Sequence, residues 1–258
     1  LQGVLGPELM KLMRSQAQRF ETRIVAKQVT AIKQMEGGFD VGAGKESYQA
    51  KTVILSMGAF ARRLGLDSEK ALYGHGVSAC ATCDGYFFRG KNVMVVGGGD
   101  SAIEESSFLT RFANKVTIVH RRDQFRASRI MQERVLANPK IDVIWNSAVV
   151  DILGVEQGHV TGVRLEDTHT HGMREMVTDG VFAAIGHEPN SALVKGLVDL
   201  DEKGYVKTQA PSSRTSVPGL FACGDLQDSR YRQAITAAGS GCAAAMDAER
   251  YLSELKNQ

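Results

Sequence analysis

The stretch from Ser78 to Ala102, SACATCDGYFFRGKNVMVVGGGDSA, constrains the fold and chemistry of this 258-residue chain more than any other. It places a close cysteine pair, Cys80 and Cys83, before an apolar run that is typical of a buried strand. Three glycines follow that run and lead into a helix-like segment. A thiol pair able to cycle between dithiol and disulfide therefore lies beside a turn able to hold a dinucleotide's phosphates. This combination predicts an enzyme that moves electrons between a pyridine nucleotide and a disulfide.

The glycine turn has the spacing of a dinucleotide fingerprint, G-x-G-x-x-A. Its residues are Gly97, Gly98, Gly99, Asp100, Ser101 and Ala102. The turn follows a predicted strand and opens a predicted helix, which is the context of a phosphate site in a Rossmann unit. Glycine lets the backbone approach the pyrophosphate, and the helix N-terminus favours its negative charge. The alternative is an ordinary glycine-rich turn.

The elements around this turn alternate between strand and helix. We predict strands at Val93–Val96, Val116–Val119 and Asp142–Ile144, joined by helices at about Ser101–Phe112 and Ser128–Leu136. A βαβαβ order implies an α/β fold with a parallel sheet. Short alternating segments from 148 to 177 predict an inserted meander, after which Val181–Ile185 returns to the sheet.

The second strand of this unit ends in basic residues. A carboxylate at that position usually binds the ribose of NAD. This chain instead has His120, Arg121 and Arg122, with Arg126 about one helical turn further on. Guanidinium groups there can bind the 2′-phosphate of NADP in bidentate fashion, so the motif predicts NADPH. The alternative is a solvated basic patch at a strand end.

The CxxC spacing is open to three interpretations: half a zinc site, a redox pair, or two inert thiols. A structural zinc needs four ligands, and neither Cys223 and Cys242 nor the histidines show a matching spacing. We therefore predict no metal and a redox pair, with the two other cysteines packing as small apolar residues. Asp84 follows the pair directly and can exchange a proton with a thiolate, or simply cap a turn.

The two ends of the chain are predicted to form a second domain. Strands are expected at Ile24–Ile32, Phe39–Val41 and Thr52–Met57, preceded by a helix with apolar residues at helical spacing. A strand ending at Phe221-Ala222 and a helix from about Arg232 to Leu255 close the chain. Linkers are expected at 59–76 and 186–189. The predicted domains are residues 1–62, 63–186 and 187–258, the first and last forming one body.

The composition excludes several classes of protein. The net charge is +2 and the charges are mixed along the chain, so no nucleic-acid partner is expected. No apolar run reaches the length of a membrane span, and no membrane association is expected. One functional cysteine pair in a long chain with four cysteines predicts the reducing cytoplasm.

The chain resembles the low-molecular-weight thioredoxin reductases, the FAD-containing kind of bacteria, fungi and plants, along essentially its whole length. The matching segments are Ser78–Gly85, Gly97–Ala102, His120–Arg122 with Arg126, Ala184–Asn190, Gly219–Asp225 and Tyr231–Gly239. The resemblance implies two Rossmann-like nucleotide-binding domains of the three-layer ββα type, with the NADPH domain inserted into an incomplete FAD domain. It also implies a homodimer.

The resemblance implies a role for each motif. Electrons are expected to pass from NADPH to FAD, to the disulfide of Cys80 and Cys83, and then to thioredoxin. Cys83 would face the flavin, Cys80 would attack the thioredoxin disulfide, and Asp84 would be the acid. Ile185 joins the glycine turn and the basic motif as an NADPH contact. The FAD contacts implied are Gly224, Asp225, Arg232, Gln233 and Ala234.

Two departures from the family pattern raise expectations of their own. The family's N-terminal strand–GxGxxG–helix is absent, so we expect the chain to lack its N-terminal segment and, alone, to be colourless and inactive while still binding NADPH. Ser56-Met57-Gly58 stands where the family usually has Ala-Thr-Gly. Two rival interpretations remain: another flavin disulfide reductase, such as the flavoprotein of alkyl hydroperoxide reductase, or a non-catalytic NADPH-binding remnant.

Overall fold

The computed structural model describes residues 3–256. Within that range no helix is long and apolar enough to cross a membrane. The α-helices are α1 Gly6–Arg19, α2 Asp67–Ala71, α3 Ala81–Asp84, α4 Asp100–Leu109, α5 Arg129–Leu136 and α6 Ala234–Lys256. Short 3₁₀ turns lie at Gly85–Phe88, Ala192–Val194 and Gly224–Leu226.

The strands are short, and most of them belong to small sheets. In chain order they are β1 Val29–Met35, β2 Gly38–Ala43, β3 Glu46–Ala50, β4 Val53–Leu55, β5 Ala59–Ala61, β6 Val77–Ser78, β7 Asn92–Val96, β8 Lys115–Val119, β9 Ile141–Ile144, β10 Ser147–Leu153, β11 Gly162–Asp167, β12 Met173–Val177, β13 Gly180–Ala183, β14 His187–Pro189 and β15 Leu220–Ala222.

The chain forms two compact units, with the second inserted into the first. One unit combines Leu1–Gly58 with Asn190–Gln258, and the other is Ala59–Pro189. The chain passes from one unit to the other at Gly58/Ala59 and at Pro189/Asn190, a few residues from the sequence-based boundaries at 62/63 and 186/187. The reason is that the two predicted linkers are not free chain: β5 and β14 pair antiparallel, with Phe60 opposite Glu188. Their pairing places both strands in the inserted unit.

The inserted unit is a three-layer ββα sandwich, as the family resemblance implied. Its central sheet has the order β6-β13-β7-β8-β9, and all neighbouring strands are parallel. The strands are apolar because both faces are covered. Helices α4 and α5 cover one face, where Val95, Ile103 and Ile118 are fully buried. The meander β10-β11-β12 covers the other face around Met94 and Leu165.

The outer unit repeats this layering in a smaller form. Strands β4 and β15 pair parallel, with Ile54 opposite Phe221. The antiparallel meander β1-β2-β3 packs on one side through Phe39, and α6 packs on the other through Ala244 and Ala248. Small side chains on α6 let the helix approach the strands closely.

Three details of the outer unit differ from the sequence-based expectation. The first strand begins at Val29 rather than at Ile24, and the second, predicted at Phe39–Val41, extends over Gly38–Ala43. The segment Glu46–Ala50 forms a strand that was not predicted. The alternation of apolar and polar residues in this segment is weak, because β3 is an edge strand that leaves most of its side chains in solvent.

Candidate active site

Four predicted motifs of the inserted unit meet at one edge of its sheet. Because β6, β13, β7 and β8 are parallel, their carboxyl ends all point the same way. The cysteine pair follows β6, Ile185 follows β13, the glycine turn follows β7, and the His120 motif follows β8. Ligands of open α/β sheets bind at the carboxyl ends of the strands. The topology therefore joins segments that are more than 100 residues apart in the chain.

The three glycines of the turn meet different surroundings. A Cβ on Gly97 would lie 2.5 Å from the Ala184 carbonyl oxygen, and the residue has a φ of +153°. A Cβ on Gly98 would lie 2.3 Å from Cε1 of His120. A Cβ on Gly99 would have no heavy atom within 4 Å. The first two glycines are thus required by the protein's own packing, whereas the third leaves an open approach to the N-terminus of α4.

The basic motif is tied to the glycine turn through the backbone. The N–H of Arg126 donates to the Gly98 carbonyl at 2.8 Å, and the Ser128 N–H donates to the Asp100 carboxylate at 2.9 Å. Arg121, Arg122 and Arg126 are all exposed. These bonds hold the backbone of Arg126 beside the glycine turn.

His120 is the buried member of the basic motif, with 5% of its surface exposed. Burial lowers the pKa of His120, and the neighbouring Arg126, Arg122 and Arg121 lower it further, against a backbone hydrogen bond at Gln124 that raises it. The imidazole is therefore neutral at pH 7. Its Nε2 is buried and has no hydrogen-bond partner in the protein. The structure thus offers a polar atom to a ligand at this position.

Cys80 and Cys83 are bonded as a disulfide, with Cα atoms 5.3 Å apart. They bracket the first turn of α3, and the Cys83 N–H donates to Cys80 Sγ at 3.1 Å. A backbone donor at that sulfur favours negative charge on it. Cys83 is the more exposed of the two, while Cys80 is half-buried.

Asp84 lies at the end of α3, and its carboxylate turns back toward the start of the motif. Oδ2 of Asp84 accepts a hydrogen bond from the Ser78 hydroxyl at 2.6 Å. The α3 turn is packed against α4, where the Glu105 carboxylate accepts from the Ala81 N–H at 3.4 Å. The cysteine pair and the glycine turn are thus connected through α4.

Two exposed aromatic residues beside the disulfide were not singled out from the sequence. Tyr86 is 63% exposed and Phe87 is 71% exposed, on the 3₁₀ turn that directly follows Asp84. The next residue, Phe88, is buried against Phe182. The sequence signal was present as three aromatic residues in a row. Which of them face solvent depends on the 3₁₀ turn.

Asp225 occupies the matching position in the outer unit, after the carboxyl end of β15. Its Oδ1 is buried without a partner in the protein. Burial raises the pKa of Asp225, and Asp228 raises it further, while Arg232 opposes both. Gly224 before it has a φ of +67°, which turns the chain sharply out of the strand. An orphaned buried acceptor at a strand end fits a ligand hydroxyl, as FAD would supply.

Two of the three predicted ring contacts, Arg232 and Gln233, lie in the loop before the helix, and Ala234 is the first residue of the helix. Helix α6 begins at Ala234, and Arg232 before it has a φ of +49°. Asp228 shapes this loop by accepting from the N–H groups of Arg230, Tyr231 and Arg232. Burial raises the pKa of Asp228, but these hydrogen bonds together hold it below its usual value. The helix start was therefore predicted two residues early.

The remaining cysteines differ from each other. Cys223 is buried, and burial raises the pKa of its thiol, as expected for a packed residue. Cys242 on α6 is exposed, so the expectation that it packs in a core is wrong. The small residues around it predicted helix, but which helix face meets the sheet was not readable from them.

A disulfide and a dinucleotide-type turn at one edge of a parallel α/β sheet define a nucleotide-dependent disulfide oxidoreductase. Residues 6–241 match the pyridine nucleotide-disulphide oxidoreductase family. The thioredoxin reductase of Mycolicibacterium smegmatis is 56% identical over 254 residues, which cover 98% of this chain and 81% of that protein. That of Streptomyces clavuligerus is 51% identical, covering 98% of this chain and 78% of the relative.

Solved structures agree with these relatives. Thioredoxin reductase from Streptococcus pyogenes superposes with a TM-score of 0.92 at 41% identity, over 97% of this chain and 81% of that one. The enzyme from Giardia duodenalis gives 0.91 at 40% identity, over 97% and 82% of the two chains. The chain belongs to the pyridine nucleotide-disulphide oxidoreductase family and, within it, to the thioredoxin reductases.

Proposed function

We propose that this protein carries two electrons from NADPH, through FAD, to the Cys80–Cys83 disulfide and on to the disulfide of thioredoxin. The observation that carries the proposal is the disulfide at the same carboxyl edge as the glycine turn. A metal site or two inert thiols would leave that juxtaposition unexplained. The thioredoxin reductases it resembles are FAD-containing and NADPH-dependent.

NADPH is assigned to the edge of the inserted unit, residues 63–186 in the sequence-based division. Its pyrophosphate is assigned to the open turn at Gly99 and the first N–H groups of α4. The supporting observation is that the turn has room for a ligand only at Gly99. The 2′-phosphate is assigned to Arg121, Arg122 and Arg126. The full contact set proposed is Gly97, Gly98, Gly99, Asp100, Ser101, Ala102, His120, Arg121, Arg122, Arg126 and Ile185.

FAD is assigned to the outer unit. When bound, it accepts a hydride from NADPH and delivers electrons to a disulfide one pair at a time. The unpartnered Oδ1 of Asp225 would accept a hydroxyl of its ribityl chain, and Gly224 lets the backbone come close. The ring contacts are assigned to Arg232 and Gln233, which directly precede α6, and to Ala234, its first residue, since the first N–H groups of a helix can meet the polar edge of the ring.

The dithiol of Cys80 and Cys83 performs the final exchange. The Cys80 thiolate attacks one sulfur of the thioredoxin disulfide, which forms a mixed disulfide and releases a thioredoxin thiolate that takes a proton. The Cys83 thiol then gives up its proton and attacks Cys80 Sγ, so that the enzyme disulfide re-forms and the second thioredoxin sulfur leaves. Asp84 is assigned the proton transfers, because its carboxylate lies on the residue next to Cys83.

The thioredoxin contact is assigned to Tyr86 and Phe87. Large aromatic side chains exposed to 63% and 71% are unusual on a free surface and typical of interface anchors. They lie within four residues of Cys83, so a protein seated on them would present its own disulfide to the pair. This surface is the protein-substrate site of the proposal.

The assembly and location are also part of the proposal. A homodimer is supported by α1, which has no buried residue and exposes an apolar side that a second copy can cover. Light scattering of the purified enzyme measures this directly, and a monomer mass would contradict it. A cytoplasmic location is supported by the use of one redox cysteine pair in a reducing compartment.

The function is tested with cysteine variants of the enzyme expressed from its complete gene. Cys80→Ser should abolish NADPH-dependent reduction of thioredoxin, because no disulfide can form. Reduction of the bound flavin by NADPH should persist. Cys242→Ser is the matched control, since it removes an exposed thiol that lies on α6 in the other unit. Thioredoxin turnover in Cys80→Ser near the wild-type rate would show that the proposed function is wrong.

A further inference from the structure

Ser78 carries a buried hydroxyl that is hydrogen-bonded to the backbone of Cys80 and to the carboxylate of Asp84. It is the last residue of β6 and has 4% of its surface exposed. Its Oγ accepts the N–H of Cys80 at 3.0 Å and donates to Oδ2 of Asp84 at 2.6 Å. The Cys80 carbonyl lies further away, at 3.5 Å. A hydroxyl has one proton, and the shorter contact to a carboxylate takes it.

This arrangement gives one hydroxyl two anchors. The N–H of Cys80 fixes where the Ser78 oxygen lies, and that oxygen then fixes the orientation of the Asp84 carboxylate. Strand β6 itself is held by parallel pairing to β13, where Ser78 lies opposite Phe182. The acid is therefore placed by a rigid sheet rather than by the short α3 turn alone. A carboxylate held in this way presents its second oxygen, Oδ1, toward other partners.

We propose that Ser78 is a positioning residue that holds Asp84 in place for the proton transfers of thiol–disulfide exchange. This inference rests on the proposed function, in which the Asp84 carboxylate takes the proton from the Cys83 thiol and passes it to the departing thioredoxin sulfur. The hydrogen bond from Ser78 keeps one oxygen occupied, so that the other serves the proton. Ser78 itself exchanges no proton.

The test is a double-mutant cycle on the flavin-loaded enzyme. The rate measured is the single-turnover reduction of thioredoxin by enzyme whose disulfide has been reduced beforehand. Ser78→Ala should slow it about tenfold, part of the roughly 10²–10⁴-fold that a positioned acid–base group contributes. Asp84→Asn should slow it more. The double variant should be no slower than Asp84→Asn, because Ser78 acts only through that carboxylate.

The controls separate this inference from a structural effect and from the proposed function. Ser106→Ala removes an equally buried hydroxyl of the same unit, one that donates only to the Ala102 carbonyl within α4, and should leave the rate unchanged. The half-saturating thioredoxin concentration should be the same in Ser78→Ala and wild type. The inference is wrong if Ser78→Ala reacts at the wild-type rate. It is also wrong if the rate of the double variant falls by the product of the factors measured for Ser78→Ala and Asp84→Asn alone. Activity in Cys80→Ser would instead overturn the proposed function.

Discussion

Gly97 and Gly99 lie two residues apart in the glycine turn, yet the structure predicts opposite effects for the same substitution. A methyl group at Gly97 would lie 2.5 Å from the Ala184 carbonyl and 2.8 Å from the Ala102 side chain, at a φ of +153°. At Gly99, with a φ of −98°, it would contact nothing. Gly97→Ala therefore tests the packing that stabilises the fold, and Gly99→Ala tests whether NADPH binds at the turn.

The magnitudes follow from these distances. Backbone strain costs about 1–3 kcal/mol and overpacking about as much again, so Gly97→Ala should lower the free energy of unfolding by about 2–6 kcal/mol. Gly99→Ala should lower it by less than about 1 kcal/mol, the size of a helix N-cap effect. If the pyrophosphate occupies the space at Gly99, the methyl group should raise the Kd for NADPH by about 5- to 150-fold, which corresponds to about 1–3 kcal/mol of overpacking.

The assay uses the single tryptophan of the chain. The ring centroid of Trp145 lies 4.4 Å from that of Phe125 and 6.2 Å from that of His120, and all three residues belong to the inserted unit. The fluorescence of Trp145 therefore reports urea unfolding of that unit. Calorimetric titration gives the Kd for NADPH. A Gly99→Ala variant that binds NADPH as tightly as wild type would refute the phosphate assignment. A Gly97→Ala variant with wild-type stability would refute the packing argument.

Three further predictions concern the other sites. Replacing Arg121 and Arg122 by Ala should weaken NADPH binding at least about tenfold, since each charge-assisted hydrogen bond contributes about 1.5–3 kcal/mol. NADH binding should change little. Equal losses of affinity for NADPH and NADH in calorimetry would mean that the arginines only support the fold. Because burial raises the pKa of Asp225, flavin-free protein should lose stability as the pH rises through that pKa. Asp225→Asn should remove this loss in urea unfolding at two pH values while lowering the flavin absorbance per chain, and an unchanged flavin content would contradict the ribityl assignment. Phe87→Ala should raise KM for thioredoxin about tenfold or more, as for an interface anchor, with flavin reduction by NADPH unchanged; an unchanged KM would place the docking surface elsewhere.

Local sequence patterns were sufficient for the strand, turn and helix around the glycine motif of the inserted unit. The apolar run Val93–Val96, the glycines after it and the small residue at Ala102 together predict strand, turn and helix, and the structure has β7, the turn and α4 there. These signals are readable because each depends on neighbours within a few residues. The resemblance to thioredoxin reductases depends on the same short motifs and is confirmed by relatives that are more than half identical.

Other features of the fold depend on contacts between distant segments and could not be predicted from local sequence patterns. The sequence near Ala59 or Pro189 does not show that the two linkers pair as β5 and β14. Each strand is short, and the paired residues Phe60 and Glu188 are 128 positions apart in the chain. The amphipathic repeat of α1 predicted a helix correctly, but whether its apolar side is covered depends on what packs there, and none of its residues is buried.

The sequence by itself determined which residues are proposed to carry the chemistry: the cysteine pair, the acid beside it, the glycine turn and the basic motif. Only the tertiary structure decided their surroundings. The hydrogen bond from Ser78 to Asp84 forms because α3 folds back on the end of β6. Oδ1 of Asp225 is buried without a hydrogen-bond partner because β15 ends inside the outer unit. Burial and hydrogen-bond partners are properties of packing, and packing depends on segments that are distant in the chain and adjacent only once it has folded.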